Sequence, residues 1–257
     1  MTVVLKLGGS LITEKDEQGV IDHDGLRVVA EQIGSAAVED LIVIHGGGSF
    51  GHPIAAEYGL TRTSGSRDPT AVREIGRAMA QLSDAVVTAL DVAGCRPFAV
   101  SPRGSVVKED TGDISIAPNV LDVLLEEGFV PVLHGDIAVH RGAGCSIVGG
   151  DELAVAVSEA LAADRIGLCA NVPGVLDADG TIIPRVQEFD HVADLLEAPK
   201  GTDVTGGIGW KIEALLATEI PSAIFGRDAL DRFLAGDLPG TRVGTEPDTQ
   251  QADSDSF

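Results

Sequence analysis

Short apolar runs alternate along the chain with longer stretches whose apolar residues recur at helical spacing. Val3 to Leu7, Leu41 to Ile44, Pro97 to Val100, Phe129 to Leu133 and Arg165 to Ala170 have the length and bounding residues of buried strands. Asp24 to Val38 places Leu26, Val29, Ala30, Ile33 and Ala37 on one helical face. Asp68-Pro69 opens a second helix, reaching about Ala93, with Val72, Ile75, Met79, Leu82 and Val86 along one side. Pro118 to Glu127 and Asp151 to Ala162 complete the helical series. Strand and helix in alternation predict an α/β fold with a mainly parallel central sheet. Two extended runs about Arg141-Gly142-Ala143-Gly144 predict a hairpin between Asp136 and Val148, and Asp177-Ala178-Asp179-Gly180 predicts a second hairpin turn. Gly59 to Asp68 has no periodicity and reads as a mobile loop, a candidate lid. No repeat or linker divides residues 1–244, and the polar, acidic stretch Thr245 to Phe257 reads as disordered.

Glycines gather where the predicted strands end. Lys6-Leu7-Gly8-Gly9-Ser10 closes the first strand, and His45-Gly46-Gly47-Gly48-Ser49-Phe50-Gly51-His52 follows the second, with a helix expected from Pro53 because proline suits a first helical turn. Val148-Gly149-Gly150-Asp151 and Asp203-Val204-Thr205-Gly206-Gly207-Ile208-Gly209-Trp210-Lys211 each lead into a helix. Residues without a Cβ let backbone N–H groups approach a ligand, and a helix N-terminus adds partial positive charge, so such loops favour anions, phosphate above all. Asp151 is a candidate N-cap as well as a candidate functional carboxylate. Gly46, Gly48 and Gly51 satisfy G-x-G-x-x-G, but a dinucleotide site also needs an acidic residue ending the next strand, and that position falls in the strandless stretch before Asp68. A Walker loop and a G-x-S-x-G elbow are both absent. The histidines show no metal-ligand spacing, and His45 reads as a strand-end residue. Several glycine loops associated with lysines suit phosphoryl transfer, which demands positioning and charge neutralisation rather than a covalent nucleophile.

Composition sharpens this picture. With 44% hydrophobic residues but only 4% aromatic in 257, the core must be filled by Val, Leu, Ile and Ala. The net charge of −22, from 40 acidic and 18 basic residues, repels nucleic acid and anionic membranes. It repels a nucleotide too, so local cations must offset it wherever phosphate binds. Lys6, Lys15, Lys108, Lys200 and Lys211 are the only lysines, and three of them flank glycine-rich segments. Such an acid-rich, lysine-poor surface resembles that of extreme halophiles. Cys95, Cys145 and Cys169 form no C-x-x-C pair and read as reduced core residues. With neither a membrane-length apolar run nor a signal peptide, the expectation is a soluble cytoplasmic protein.

Lys6-Leu7-Gly8-Gly9-Ser10, the more distant Lys15, the octet His45 to His52, Gly149-Gly150-Asp151 and the segment Asp203 to Lys211 together resemble isopentenyl phosphate kinase, of the amino acid kinase superfamily. The resemblance runs from about Thr2 to Gly244. It implies an open αβα sandwich whose N-terminal half binds isopentenyl phosphate and whose C-terminal half binds ATP with Mg²⁺, commonly as a homodimer, with isopentenyl diphosphate as product for isoprenoid synthesis. By position it assigns Lys6, Gly8, Gly9, Ser10 and Gly48 to the ATP phosphates, with Gly207 and Lys211 closing on the nucleotide. Lys15 would stabilise the transferring group, Gly47, His52 and Gly150 would hold the acceptor's phosphate, and Asp151 would orient the lysines. No residue is assigned to a metal. An apolar pocket drawing on the Ile75, Met79, Leu82 and Val86 face would take the hydrocarbon tail. Where the family often carries an Asp-Val-Asp-Gly-Val-like segment, this chain has Ala170-Asn171-Val172-Pro173-Gly174-Val175, a departure on the nucleotide side. Fosfomycin kinase shares the octet and gives a phosphonate-kinase alternative. A non-catalytic nucleotide-binding regulator is the alternative of another class, and the retention of Lys6, Lys15, His52 and Lys211 together counts against it.

The charge itself generates a prediction. Acidic self-repulsion acts over a Debye length of about 8 Å at physiological salt and about 3 Å in molar salt. The thermal midpoint should therefore rise between low and molar KCl, and equal midpoints would show that the −22 charge costs the fold nothing.

Overall fold

A computed structural model describes residues 1–193 and 207–244. The N-terminal part runs β1 (Val3–Leu7), α1 (His23–Ala36), β2 (Leu41–His45), α2 (Gly48–Glu57), α3 (Pro69–Val92), β3 (Pro97–Ala99), α4 (Pro102–Ser105), β4 (Val106–Lys108), β5 (Ile114–Ile116), α5 (Asn119–Glu126) and β6 (Val130–His134). It continues with β7 (Asp136–His140), β8 (Gly144–Val148), α6 (Gly150–Ala160), β9 (Arg165–Ala170), β10 (Arg185–Val186), α7 (Asp190–Ala193), α8 (Gly207–Leu216), β11 (Ser222–Gly226), α9 (Leu230–Leu234) and β12 (Thr241–Val243). The main sheet has eight strands in the order β10-β12-β11-β9-β1-β2-β6-β3. Its pairings are parallel except for β11 with β12, as the alternation of strands and helices predicts.

Side-chain parity explains the layers. Val3, Leu5 and Leu7 of β1, with Leu41 and Val43 of β2, face a core shared with α1, α3 and α9, while Val4, Ile42, Ile44, Ile166 and Leu168 face a second core shared with α5, α6 and α8. Both faces of a parallel sheet are thus covered, giving the αβα sandwich. Chain order departs from β1 in both directions, to β2 on one side and β9 on the other. The C-terminal ends of β1, β2 and β9 therefore border the crevice where open α/β sheets bind ligands.

Several expectations need correction. The helix expected from Pro53 begins five residues earlier, at Gly48, so Pro53 lies inside α2. The carbonyl of Ser49, which a residue with an N–H at position 53 would have bonded, instead accepts from Gly19 N–H at 3.0 Å, so the helix absorbs the proline without an orphaned acceptor. The glycines that close the first strand continue into a short 3₁₀ turn, Gly9–Leu11. The stretch 59–68 is fastened along β8: Ser66 and Cys145 exchange backbone bonds at 2.8 Å, Ile147 N–H donates to Thr61 O at 3.0 Å, and Arg67 donates to Gly142 O at 2.7 Å. Cys95 and Cys145 are only half-buried, and Cys169 alone is core. A four-stranded sheet, β5-β4-β7-β8, adds β4 and β5 to the predicted hairpin. Those strands of three residues are too short to show periodicity. The acidic stretch 245–257 lies outside the described residues.

Glycine is required where the first two strands end. A Cβ on Gly9 would collide with the backbone N of Gly48, and Gly48 itself has φ +47, with Thr13 Oγ1 where its own Cβ would point. Backbone cannot retreat as a flexible side chain can. Gly9→Ala should accordingly lower the thermal midpoint, with a cost of roughly 1–3 kcal/mol for forcing a packed contact, whereas alanine at Gly104, which faces open space, should leave it within experimental error.

Candidate active site

Lys6 shares the parity of Val4, so it points to the face of the sheet that α6 covers. It meets Asp151, in the first turn of α6, with Nζ 2.7 Å from Oδ1 and side chains 6% and 5% exposed. From α8, Lys211 Nζ reaches Asp151 Oδ2 at 2.8 Å. Burial alone would raise the Asp151 pKa, but the two ammonium groups outweigh it and hold the carboxyl well below the usual carboxylate range. The N-cap reading of Asp151 is corrected: Gly149 is the N-cap, and its N–H donates to Glu152 Oε2 at 2.8 Å. The other Glu152 oxygen accepts from Lys108 Nζ at 2.8 Å, a buried pair that clamps the start of α6 to the second sheet.

These groups line a cleft of about 840 Å³. Gly8, Gly9 and Ser10 form one wall, with Lys15 exposed at its rim; Gly47, Gly48 and His52 form another; and Gly150 joins Asp151 at the floor. Lys6 and Lys211 flank them. Every residue assigned to the two phosphates or to the transfer reaches the cleft except Gly207, which opens α8 but lies off the wall that Lys211 reaches. Two helices, α2 and α6, begin at the cleft, so their first-turn N–H groups and dipoles add to the lysines. Ile75 and Met79 supply an apolar wall, whereas Leu82 and Val86 are sealed in the core, which narrows the expected tail pocket to the first half of α3.

Sequence reading missed three features. Thr13 donates to Gly9 O at 2.9 Å and accepts from Ser49 N–H at 3.1 Å, stitching the two glycine loops together. Asp136 is buried in the cleft wall and accepts from Arg103 Nε at 2.9 Å, and Arg103 also donates to Gly76 O on α3 at 3.2 Å. His45 and His134 pair with ring centroids 5.3 Å apart. Burial drives the His45 pKa down to about 3 and lowers that of His134, so both imidazoles are neutral near pH 7. None of these residues carries a local motif: a threonine, an aspartate and a histidine become informative only once strands distant in sequence lie side by side. Asn171, in the segment that departs from the family pattern, donates to Ser10 O at 3.1 Å and so braces the first glycine loop.

A parallel-sheet crevice, two glycine loops packed backbone to backbone and lysines gathered about one carboxylate define a phosphotransferase site, and residues 1–220 match the amino acid kinase family, to which the chain belongs. An isopentenyl phosphate kinase from Haloferax volcanii is 46% identical over 95% of this chain and 99% of its own length. The isopentenyl phosphate kinase of Methanothermobacter thermautotrophicus is 33% identical, covering 94% and 98% of the two chains. A solved isopentenyl phosphate kinase structure superposes with a TM-score of 0.76 at 28% identity, over 95% of this chain and 100% of that one. Within the family the chain is accordingly one of the isopentenyl phosphate kinases.

The buried triad makes a prediction. Asp151→Asn leaves two ammonium groups facing a neutral amide, and loss of one partner from a buried pair costs roughly 3–5 kcal/mol. Because the folded pKa is depressed, the stabilising contribution of Asp151 is complete above about pH 4, the ordinary aspartate value, and is lost as pH falls toward the folded pKa. Denaturant titrations of the two proteins should differ most near neutrality and converge below pH 4. A gap that does not change with pH would mean that the carboxylate charge is not what holds the lysines.

Proposed function

We propose that this chain transfers the γ-phosphoryl group of ATP to the phosphate of isopentenyl phosphate, yielding isopentenyl diphosphate and ADP for isoprenoid synthesis. An acceptor phosphate oxygen forms a bond to the γ-phosphorus as the bond to the β,γ-bridging oxygen breaks, and the electron pair leaves on ADP. One observation carries the reading: of five lysines in a chain of net charge −22, Lys6, Lys15 and Lys211 line one cleft, and Lys108 braces the helix that begins at its floor. Lys200 lies outside the described residues. Cations so scarce and so concentrated belong to a site that must neutralise phosphate.

In this reading Lys6 and Lys211, held apart by Asp151, face the nucleotide phosphates together with Gly8, Gly9, Ser10 and Gly48. Lys15 neutralises charge on the transferring group, and His52, Gly47 and Gly150 hold the acceptor's phosphate near the start of α2. Preorganised donors of this kind stabilise the equatorial oxygens without a covalent intermediate. Ile75 and Met79 receive the hydrocarbon. Among the described residues no three His, Cys, Asp or Glu side chains converge, and Asp151 is committed to two lysines. Mg²⁺ would arrive on the phosphate oxygens of the nucleotide, as it commonly does. The proposal extends to a homodimer in the cytoplasm of a cell with high internal salt. The open sheet edge at β3, with Phe98 46% exposed, supports the dimer, and the acidic surface supports the salt. Among the described residues no helix is long and apolar enough to cross a membrane.

ATP consumption against isopentenyl phosphate, other short alkyl phosphates and a small phosphonate tests the function directly, and turnover restricted to the phosphonate would overturn it. In the same assay His52→Ala should raise KM for isopentenyl phosphate while leaving nucleotide affinity nearly intact. Lys15→Ala should lower kcat by roughly 10²–10³-fold, the scale for removing one preorganised donor. If His52→Ala lost ATP binding with unchanged acceptor affinity, the two phosphate positions would have to be exchanged.

A further inference from the structure

We propose that Arg62 and Trp210 form a strap beside the cleft, through which the acceptor-side loop holds the helix carrying Lys211 in its working position. The Arg62 guanidinium carbon lies 3.5 Å from the centroid of the Trp210 ring. That is a stacked cation–π contact, well inside the distance at which such pairs attract. Both residues are half-buried, so water weakens the attraction less than it would on an open surface.

The two partners come from distant segments of the chain. Arg62 lies in the loop that follows α2, the helix bearing Gly48 and His52, and its neighbour Thr61 is bonded to Ile147, a residue of the cleft wall. Trp210 precedes Lys211 on α8, whose ammonium group rests on Asp151. On its inner face α8 is anchored by buried Ile212 and Leu215. Partly buried Ile208 packs the first turn against the same core, and the stack with Arg62 adds a second hold on that turn at Trp210, the residue before Lys211. The indole Nε1 is shut from solvent and makes no hydrogen bond among the described residues, so the ring is present for its face rather than its N–H. A displacement of about 1 Å in a phosphate-binding group can cost on the order of 10²-fold in rate. Fixing the first turn of α8 is therefore a kinetic matter as much as a structural one. Arg62 and Trp210 are positioning residues, and the inference rests on the kinase reading only for what Lys211 does once placed.

Trp210 is the one tryptophan in the chain, which makes its emission a reporter of the strap. The experiment compares the full-length protein with Arg62→Ala, Trp210→Phe, Trp210→Leu and the Arg62→Ala/Trp210→Leu double variant. Arg62→Ala should shift the emission to the red and increase acrylamide quenching. Arg62→Ala and Trp210→Leu should each lower kcat/KM for ATP by about 3- to 30-fold, the range a partly desolvated cation–π contact spans. Trp210→Phe, which keeps an aromatic face, should recover most of that loss, and the double variant should be no worse than the poorer single one. Unchanged kinetics in Arg62→Ala, equal impairment in Trp210→Phe and Trp210→Leu, or a double variant whose loss is the product of the singles would overturn the strap. If the unaltered protein fails to phosphorylate isopentenyl phosphate, the kinase reading fails separately. Calorimetric affinity for the non-hydrolysable nucleotide AMPPNP then reads the strap instead: weakened binding in Arg62→Ala upholds it, and equal binding overturns it.

Discussion

One carboxylate held between two ammonium groups sets the geometry of the cleft. Lys6, Asp151 and Lys211 come from β1, α6 and α8, so their meeting requires the central strand, a helix on its face and a helix from the C-terminal part of the chain to be in place together. A lysine 6% exposed needs a partner to offset the loss of water, and the Asp151 carboxylate 2.7 Å away supplies it. Two cations and one anion leave the triad with net positive charge. In the proposed function phosphate oxygens complete it, and because the lysines are already oriented, little reorganisation is needed when they do.

The second constraint is steric and belongs to the backbone. The Gly8–Ser10 turn and the start of α2 touch through main-chain atoms at Gly9 and Gly48, with Thr13 bonded to both loops. Side chains at these two positions would push apart the walls of the cleft. A cleft built in this way is rigid, because its walls are held by hydrogen bonds and van der Waals contact rather than by long side chains. N–H groups of its glycine loops and helix starts line it alongside apolar side chains. Ile75 and Met79 on α3 share the apolar wall with Ala55, Ala56 and Ile147, and Gly76 leaves room for the guanidinium of Arg103 to cross the helix and reach Asp136.

Much of this was legible before any coordinates. The apolar runs at Val3, Leu41, Phe129 and Arg165 became strands within a residue of their expected limits, because buried parallel strands are continuously apolar and stop at glycine or proline. That the glycine loops and their lysines meet was legible too, since strand-end glycines with associated lysines point to phosphate, while His52 and Asp151, which line the same cleft, were singled out by the family resemblance. What was not legible depended on distance in sequence. Pro53 read as a helix start because nothing local reveals that Gly19 would take up the Ser49 carbonyl. The stretch 59–68 read as mobile because its hydrogen-bond partners lie on β8, some eighty positions further along the chain. β4 and β5 are too short for a period, and Arg103, Asp136 and Lys108 make sense only once the second sheet brings them to the cleft and to α6.

An acidic protein that binds two phosphate-bearing molecules has to keep long-range repulsion from reaching the site. Exposed charges are screened within about 8 Å at physiological salt and about 3 Å at molar salt, whereas buried pairs are screened far less. Salt therefore weakens the field of the surface while leaving the Lys6–Asp151–Lys211 triad nearly intact. The separation works because, among the described residues, lysine is not spent on surface ion pairs: the exposed side-chain pairs, such as Arg27 with Glu31, Arg141 with Glu109 and Arg232 with Asp237, use arginine. Arginine keeps its charge in any surroundings and pairs with carboxylates through a fork, so it suits that task. The lysine ammonium, a compact point charge, is kept for the cleft, where oxygens approach from several directions and no planar fork would match them all.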